Sequence, residues 1–187
     1  MSKQLQWIIL GILVLFLVVL VAAFKPVVIK GPAMEPTYKN GTNYLVNKLS
    51  YLLTKPQRGD IIAYHYTQSL KYLGIGRIIG LPGEKIKIQD GKVYINNTIL
   101  QENYVSPDAV TEVASKSEIK DVSDTTGKVQ DTNAPKILDE GKELLIPENN
   151  YFMMGDNREQ SIDSRSLGMI EYKDIIGQMA IKYKLPF

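Results

Sequence analysis

The chain opens on an uninterrupted apolar run and then breaks into short alternating stretches. Trp7 to Phe24, WIILGILVLFLVVLVAAF, carries no charge and no proline over eighteen residues, the lower end of the roughly 17–25 residues that cross a bilayer core. VAA near its end resembles the small-residue cleavage site of a signal peptide, but the run exceeds a usual signal core and reads as a retained anchor. The chain therefore divides into 1–6, a span at 7–24 and a domain at 25–187. Positive charge does not orient the span, since Lys3 precedes it while Lys25 and Lys30 follow.

Beyond Phe24 the pattern is that of strands. VVI at 27–29, NYLV at 43–46, DIIAYHY at 60–66, KIKI at 85–88 and KVYI at 92–95 are rich in β-branched and aromatic residues. Turn residues separate them: Asn40-Gly41, Arg58-Gly59-Asp60 and Leu81-Pro82-Gly83. Asp90-Gly91 and Asn96-Asn97 each sit between two strand-like runs and predict hairpins. Strand-like text returns at ELLIP, YFMMG and DIIGQMAIKYKLPF. No amphipathic helix longer than about two turns follows the anchor, so the domain is predicted to be mostly β. Residues 106–140 are polar and predict a loop or loosely packed insertion, because such a segment buries little.

Composition removes several chemistries. The net charge of +2, with no basic-aromatic array, argues against a nucleic-acid partner. Without cysteine there are no disulfides, thiol nucleophiles or cysteine metal sites. The single histidine, His65, makes a histidine triad or a zinc cluster improbable; it is read as facing solvent on its strand. No metal and no cofactor is expected.

Three stretches carry candidate chemistry. The first is KGPAMEPT at 30–37, on its own an ordinary turn after a strand. The second is GRIIGLPGE at 76–84, which a β-turn with an apolar approach accounts for. The third is GDNREQSIDSR at 155–165, whose arginines and aspartates suit hydrogen-bonded pairs that hold a loop in one shape.

In this order, behind an N-terminal span, the three boxes resemble those of the bacterial type I signal peptidases, membrane-anchored serine proteases with a serine–lysine dyad. The resemblance extends to the RGDII strand, ENYV at 102–105 and the IPENNYFMMGDNR run, and the short single-span chain is similar to the Gram-positive branch. It implies a domain of coiled antiparallel β-sheets on the extracytoplasmic face of the cell membrane, with 1–6 in the cytoplasm. It also implies a substrate segment added as a strand between Pro26-Val27-Val28-Ile29-Lys30-Gly31 and Leu73-Gly74-Ile75-Gly76. Candidate partners are membrane lipid, the signal peptides of preproteins and an active signal peptidase paralogue.

The sequence departs from the family where the chemistry lies. The resemblance places Ala33, just before Met34, at the nucleophile position and Gly76, just before Arg77, at the general-base position. A serine attacks a carbonyl only when a base takes its proton, and a lysine is such a base when burial lowers its pKa. Alanine has no oxygen and glycine no amine, and the Arg77 guanidinium stays protonated. Loss of the nucleophile alone costs on the order of a million-fold in turnover. Alanine is the usual engineered knockout, but glycine at the second position is not, so natural degeneration is the better reading.

The remaining matches form a shell. Ser161 matches the serine that orients the lysine, Asp163 and Arg165 a buttressing salt bridge, and Asp156 and Arg158 supports of the loop. Arg77 matches the arginine beside the lysine. All are read here as holding the fold. The chain is thus expected to be an inactive signal peptidase homologue. One alternative is a signal-peptide-binding or regulatory module that uses the old groove. The other is a peptidase with a displaced nucleophile, for which Ser69 and Lys71, in the loop before the second box, are the candidates; a solvated turn explains both.

Overall fold

The computed structural model describes residues 2–66, 69–113 and 138–183, with the backbone alone at 66 and 69–72. Helix α1 spans Lys3–Ala23, with the Ser2 hydroxyl accepting from the Leu5 N–H as its N-cap. Its apolar side chains are exposed from Leu5 to Val21. At 21 residues it is roughly 31 Å long, the thickness of a bilayer core. The helix is longer at its start than the predicted 7–24, because capping rather than hydropathy sets that end. It stops one residue early, where Phe24 enters a strand.

The strands are β1 (Phe24–Val28), β2 (Asn43–Asn47), β3 (Ile61–Tyr66), β4 (Ser69–Gly80), β5 (Lys85–Gln89), β6 (Lys92–Ile95), β7 (Thr98–Ile99), β8 (Leu144–Leu145), β9 (Asn150–Met154), β10 (Ile170–Glu171) and β11 (Ile175–Tyr183). The one further α-helix among the described residues is α2, Ser164–Leu167. Among the described residues seven strands form one sheet in the order β1-β2-β11-β3-β4-β9-β10, and four form a second, β7-β6-β5-β8. The pairings are antiparallel. The expected mostly β architecture is what the chain adopts.

Both predicted hairpins form. Asp90 and Gly91 have φ of 50° and 71°, and Asn96 and Asn97 have 48° and 64°, the left-handed pairs that match strand twist. The pairing of β3 with β4 reaches back to Tyr66↔Ser69. Ser69 and Lys71 therefore lie on a strand rather than in the predicted loop, because β3 offers its partner a ladder that outweighs the local polarity. His65 also departs from expectation. It is half-buried on an inner strand between β11 and β4, and its Nδ1 is buried with no hydrogen-bond partner among the described residues.

Side-chain alternation sorts the core. Ile86 and Ile88 of β5 and Val93 and Ile95 of β6 turn inward, with lysines on the other face. Strand β9 is apolar from Tyr151 to Met154 because it is covered on both faces: Tyr151 and Met153 join one cluster, Phe152 and Met154 another. Ile78 and Ile79 of β4 divide between the same two clusters. A third cluster joins Val27 and Ile29 to Leu73 and Ile75, so the large sheet curls until its first strand meets β4. Of the predicted insertion at 106–140, 114–137 lies outside the described residues; within its described parts Thr111 and Leu138 are buried.

Candidate functional site

The site grows from the end of β9. Antiparallel pairing sets Met154 opposite Arg77 and Met153 opposite Ile78, so Gly155 continues the chain beside Gly76. Only a residue without Cβ fits at 155. A Cβ there would lie 2.2 Å from the Ser161 Oγ and 2.5 Å from the Ala33 carbonyl oxygen. The Asn157 N–H donates to that same carbonyl at 3.0 Å. The first and third boxes are thereby clamped together, with the second running alongside.

Ala33 is held in a tight turn. The Glu35 N–H donates to Pro32 at 2.9 Å and the Tyr38 N–H to Met34 at 2.7 Å. Met34 is buried beneath it. Gly31 enters the turn at a φ of 89°, a left-handed conformation that favours glycine. What this turn presents is the half-buried methyl group of Ala33.

At Gly76 the backbone is not left-handed, and a Cβ would meet the Met153 Sδ at 2.3 Å and its Cε at 3.6 Å. The thioether thus occupies the space into which a side chain at 76 would grow. Sequence reasoning quotes Met153 within the YFMMG strand and the IPENNYFMMGDNR run but gives it no place at the site.

Asp156 ties the boxes electrostatically. It accepts from the Arg77 Nε at 2.8 Å and from the second guanidinium nitrogen at 2.6 Å, a bidentate pair, and from the Thr37 hydroxyl at 2.5 Å. Arg77 also donates to the Gly59 carbonyl at 2.9 Å and stacks 3.9 Å over the Tyr104 ring. Burial works against the Arg77 charge, but the hydrogen bonds and charge of Asp156 outweigh it and hold the guanidinium above its ordinary pKa. Burial and the Glu102 carboxylate likewise raise the Tyr104 phenol.

A second layer stiffens the loop from behind. Asp163 takes two bonds from Arg165 at 2.8 Å each and one from the Gly155 N–H at 3.1 Å. It also caps α2 through the Arg165 N–H. Arg165 donates onward to the carbonyls of Glu112 and Arg158. Arg158 binds the Gly155 carbonyl, the Thr111 hydroxyl at 2.6 Å and, bidentately, Glu102. Thr37, Glu102, Tyr104 and Thr111 were not singled out from sequence. Thr37 and ENYV lay inside quoted motifs, whereas Thr111 carried no signal.

The remaining named residues, Pro26 to Gly31 and Leu73 to Gly76, lie at two strand margins. Strand β1 pairs with β2 alone, through Pro26↔Leu45 and Val27↔Tyr44. Leu73 to Gly76 pair with β3, whereas the pairing of β4 with β9 reaches no further than Arg77, opposite Met154 at the end of β9. Among the described residues one side of each segment is therefore free of strand pairing.

The chain matches the family model described as "Signal peptidase, peptidase S26" over residues 2–184. It is 30% identical over 187 residues to "Signal peptidase IB" of Staphylococcus aureus strain Mu50, covering 98% of this chain and 91% of that one. It is 29% identical over 160 residues to "Probable signal peptidase I-2" of a Synechocystis species, covering 83% of this chain and 61% of that one. A crystal structure of a signal peptidase I from Enterococcus faecalis V583 aligns with a TM-score of 0.47 at 30% identity, over 68% of this chain and 98% of that one. Matched from end to end by that model, with its three boxes gathered around Gly155, the chain belongs to the signal peptidase family, peptidase S26.

Proposed function

We propose that this chain is a membrane-anchored family member that does not cut peptide bonds by a serine–lysine mechanism. The domain stands on the extracytoplasmic face, held by α1. The observation that carries the reading is the pair at the centre of the site: the tight turn presents only the methyl of Ala33, and Gly76, beside Gly155, carries no side chain. The place of a general base is therefore without an amine, and the flexible end of Met153 lies in its space. Ala33 adds a methyl where an attacking oxygen would be needed. Arg77, the nearest cation in sequence, is committed to Asp156 and Gly59. The retained arginines and aspartates then serve the architecture of the loop.

The purified full chain, in detergent or in liposomes, is expected to leave a signal-peptide substrate with an Ala-x-Ala site uncut. Cleavage well above background that vanishes on changing one serine, Ser69 among them, overturns the reading in favour of a displaced nucleophile.

A second reading, retained binding of signal peptides, is favoured by the unpaired margins of β1 and of Leu73 to Gly76. Val27, Ile29, Leu73 and Ile75 share one cluster between them. An extended peptide adds to such margins through backbone bonds, which need neither serine nor lysine. A signal peptide with a photoreactive residue near its Ala-x-Ala site should crosslink to 26–31 or 73–76 and be displaced by excess unlabelled peptide. Crosslinks scattered over the surface, or undiminished by competitor, count against this role.

A further inference from the structure

We infer that the turn Leu49–Leu53 is a second membrane contact, inserting its leucines into the lipid interface beside α1. The inference rests on the reading of α1 as a bilayer span.

The topology sets the height of the turn. Strand β1 leaves the end of α1 and runs away from it. Antiparallel β2 brings the chain back, so that Asn47 pairs with Phe24 and the Lys48 N–H donates to the Ala23 carbonyl at 2.8 Å. The turn just after Lys48 therefore lies level with the end of the apolar helix. At that level the chain presents Leu49, Leu52 and Leu53, which are 45%, 71% and 97% exposed. Single exposed leucines are ordinary, but a cluster continuous with a membrane-facing helix end marks a contact surface.

The turn is built rather than loose. The Leu52 N–H donates to Leu49 at 3.1 Å, and the Thr54 hydroxyl to Ser50 at 2.7 Å. Tyr51 points the other way: its hydroxyl donates to Asp60 at 3.0 Å, and its carbonyl accepts from Tyr172 at 2.7 Å. Holding Tyr51 inward leaves Leu52 and Leu53 directed outward. Lys48 and Lys55 flank the turn and are exposed, the charge that suits anionic headgroups around an embedded apolar tip.

The chain lacks cysteine, so Leu53→Cys provides one site for an environment-sensitive fluorophore. Leu145→Cys on β8, at a residue 58% exposed in the other sheet, is the reference. Both full-length proteins are reconstituted into phosphatidylcholine–phosphatidylglycerol vesicles, with and without nitroxide-bearing lipid. The label at 53 should show blue-shifted emission, resist aqueous iodide and be quenched by the nitroxide lipid; the label at 145 should behave as in water. A blue shift without nitroxide quenching means that a second copy of the chain covers the turn, and overturns the inference. So does a protein that floats with the vesicles while its label at 53 stays aqueous. A protein that fails to float refutes the anchor and the inference together.

Discussion

Ala33→Ser combined with Gly76→Lys is expected to regain partial cleavage of a signal-peptide substrate, and Met153→Val to raise it further. The serine should fit easily, since it adds one oxygen to a half-buried methyl in a turn already fixed by backbone bonds. The lysine is the harder step. The backbone at 76 accepts a side chain, but the Met153 sulfur stands 2.3 Å from its first carbon. The flexible end of Met153 must swing aside to admit it, at a cost within the roughly 1–3 kcal/mol of core overpacking. Valine at 153 opens that space with a residue suited to a strand. Burial then favours the neutral amine that a base requires. A positioned base is worth about 10²–10⁴-fold, which sets the expected gain of the triple variant over Ala33→Ser alone. Each single change should be silent, because nucleophile and base act as a unit. The measurement is the cleavage rate of one substrate by the parent, the singles, the double and the triple variant. A folded triple variant no faster than Ala33→Ser would show that the retained shell no longer positions a dyad.

Asp156→Ala should be among the most damaging single changes in the domain. Its carboxylate is fully buried, and the Arg77 side chain that it pairs with is 12% exposed. Removing one partner of such a pair costs about 3–5 kcal/mol, because the other charge is left without compensation. The Thr37 hydroxyl also loses its acceptor, so the side-chain ties that Asp156 makes to the first and second boxes are lost together. Replacing both partners, as Arg77→Met with Asp156→Leu, should return much of the loss, since apolar pairs of similar volume often match a buried ion pair. Denaturant unfolding of the full chain in detergent measures all three proteins. A loss within about 0.5 kcal/mol for Asp156→Ala, the range of ordinary surface changes, would contradict the role assigned to this pair.

Elements whose signals are local were legible in the amino-acid order alone. Trp7 to Phe24 could be read as a span because a bilayer imposes a length and an apolar composition on any helix that crosses it. Asp90-Gly91 and Asn96-Asn97 could be read as hairpins because few residues accept left-handed backbone. The boxes could be recognised because their residue types and order survive even where Ala33 and Gly76 stand at the centre.

The contacts of those residues needed the folded chain. No local rule places Thr37, Arg77 and Asp156 on one another, since they come together only when the large sheet curls and β9 pairs with β4. Ser69 and Lys71 read as a turn from their polarity, yet the ladder offered by β3 makes them strand. His65 reads as solvent-facing on its strand, yet an inner position in the sheet half-buries it. Met153 reads as one more apolar residue, and only cross-strand packing shows that its sulfur fills the space beside Gly76. Local patterns specify backbone states because backbone sterics and hydrogen bonding are short-ranged. Contacts between residues far apart in sequence depend on pairing register and sheet curvature, which the whole core sets at once.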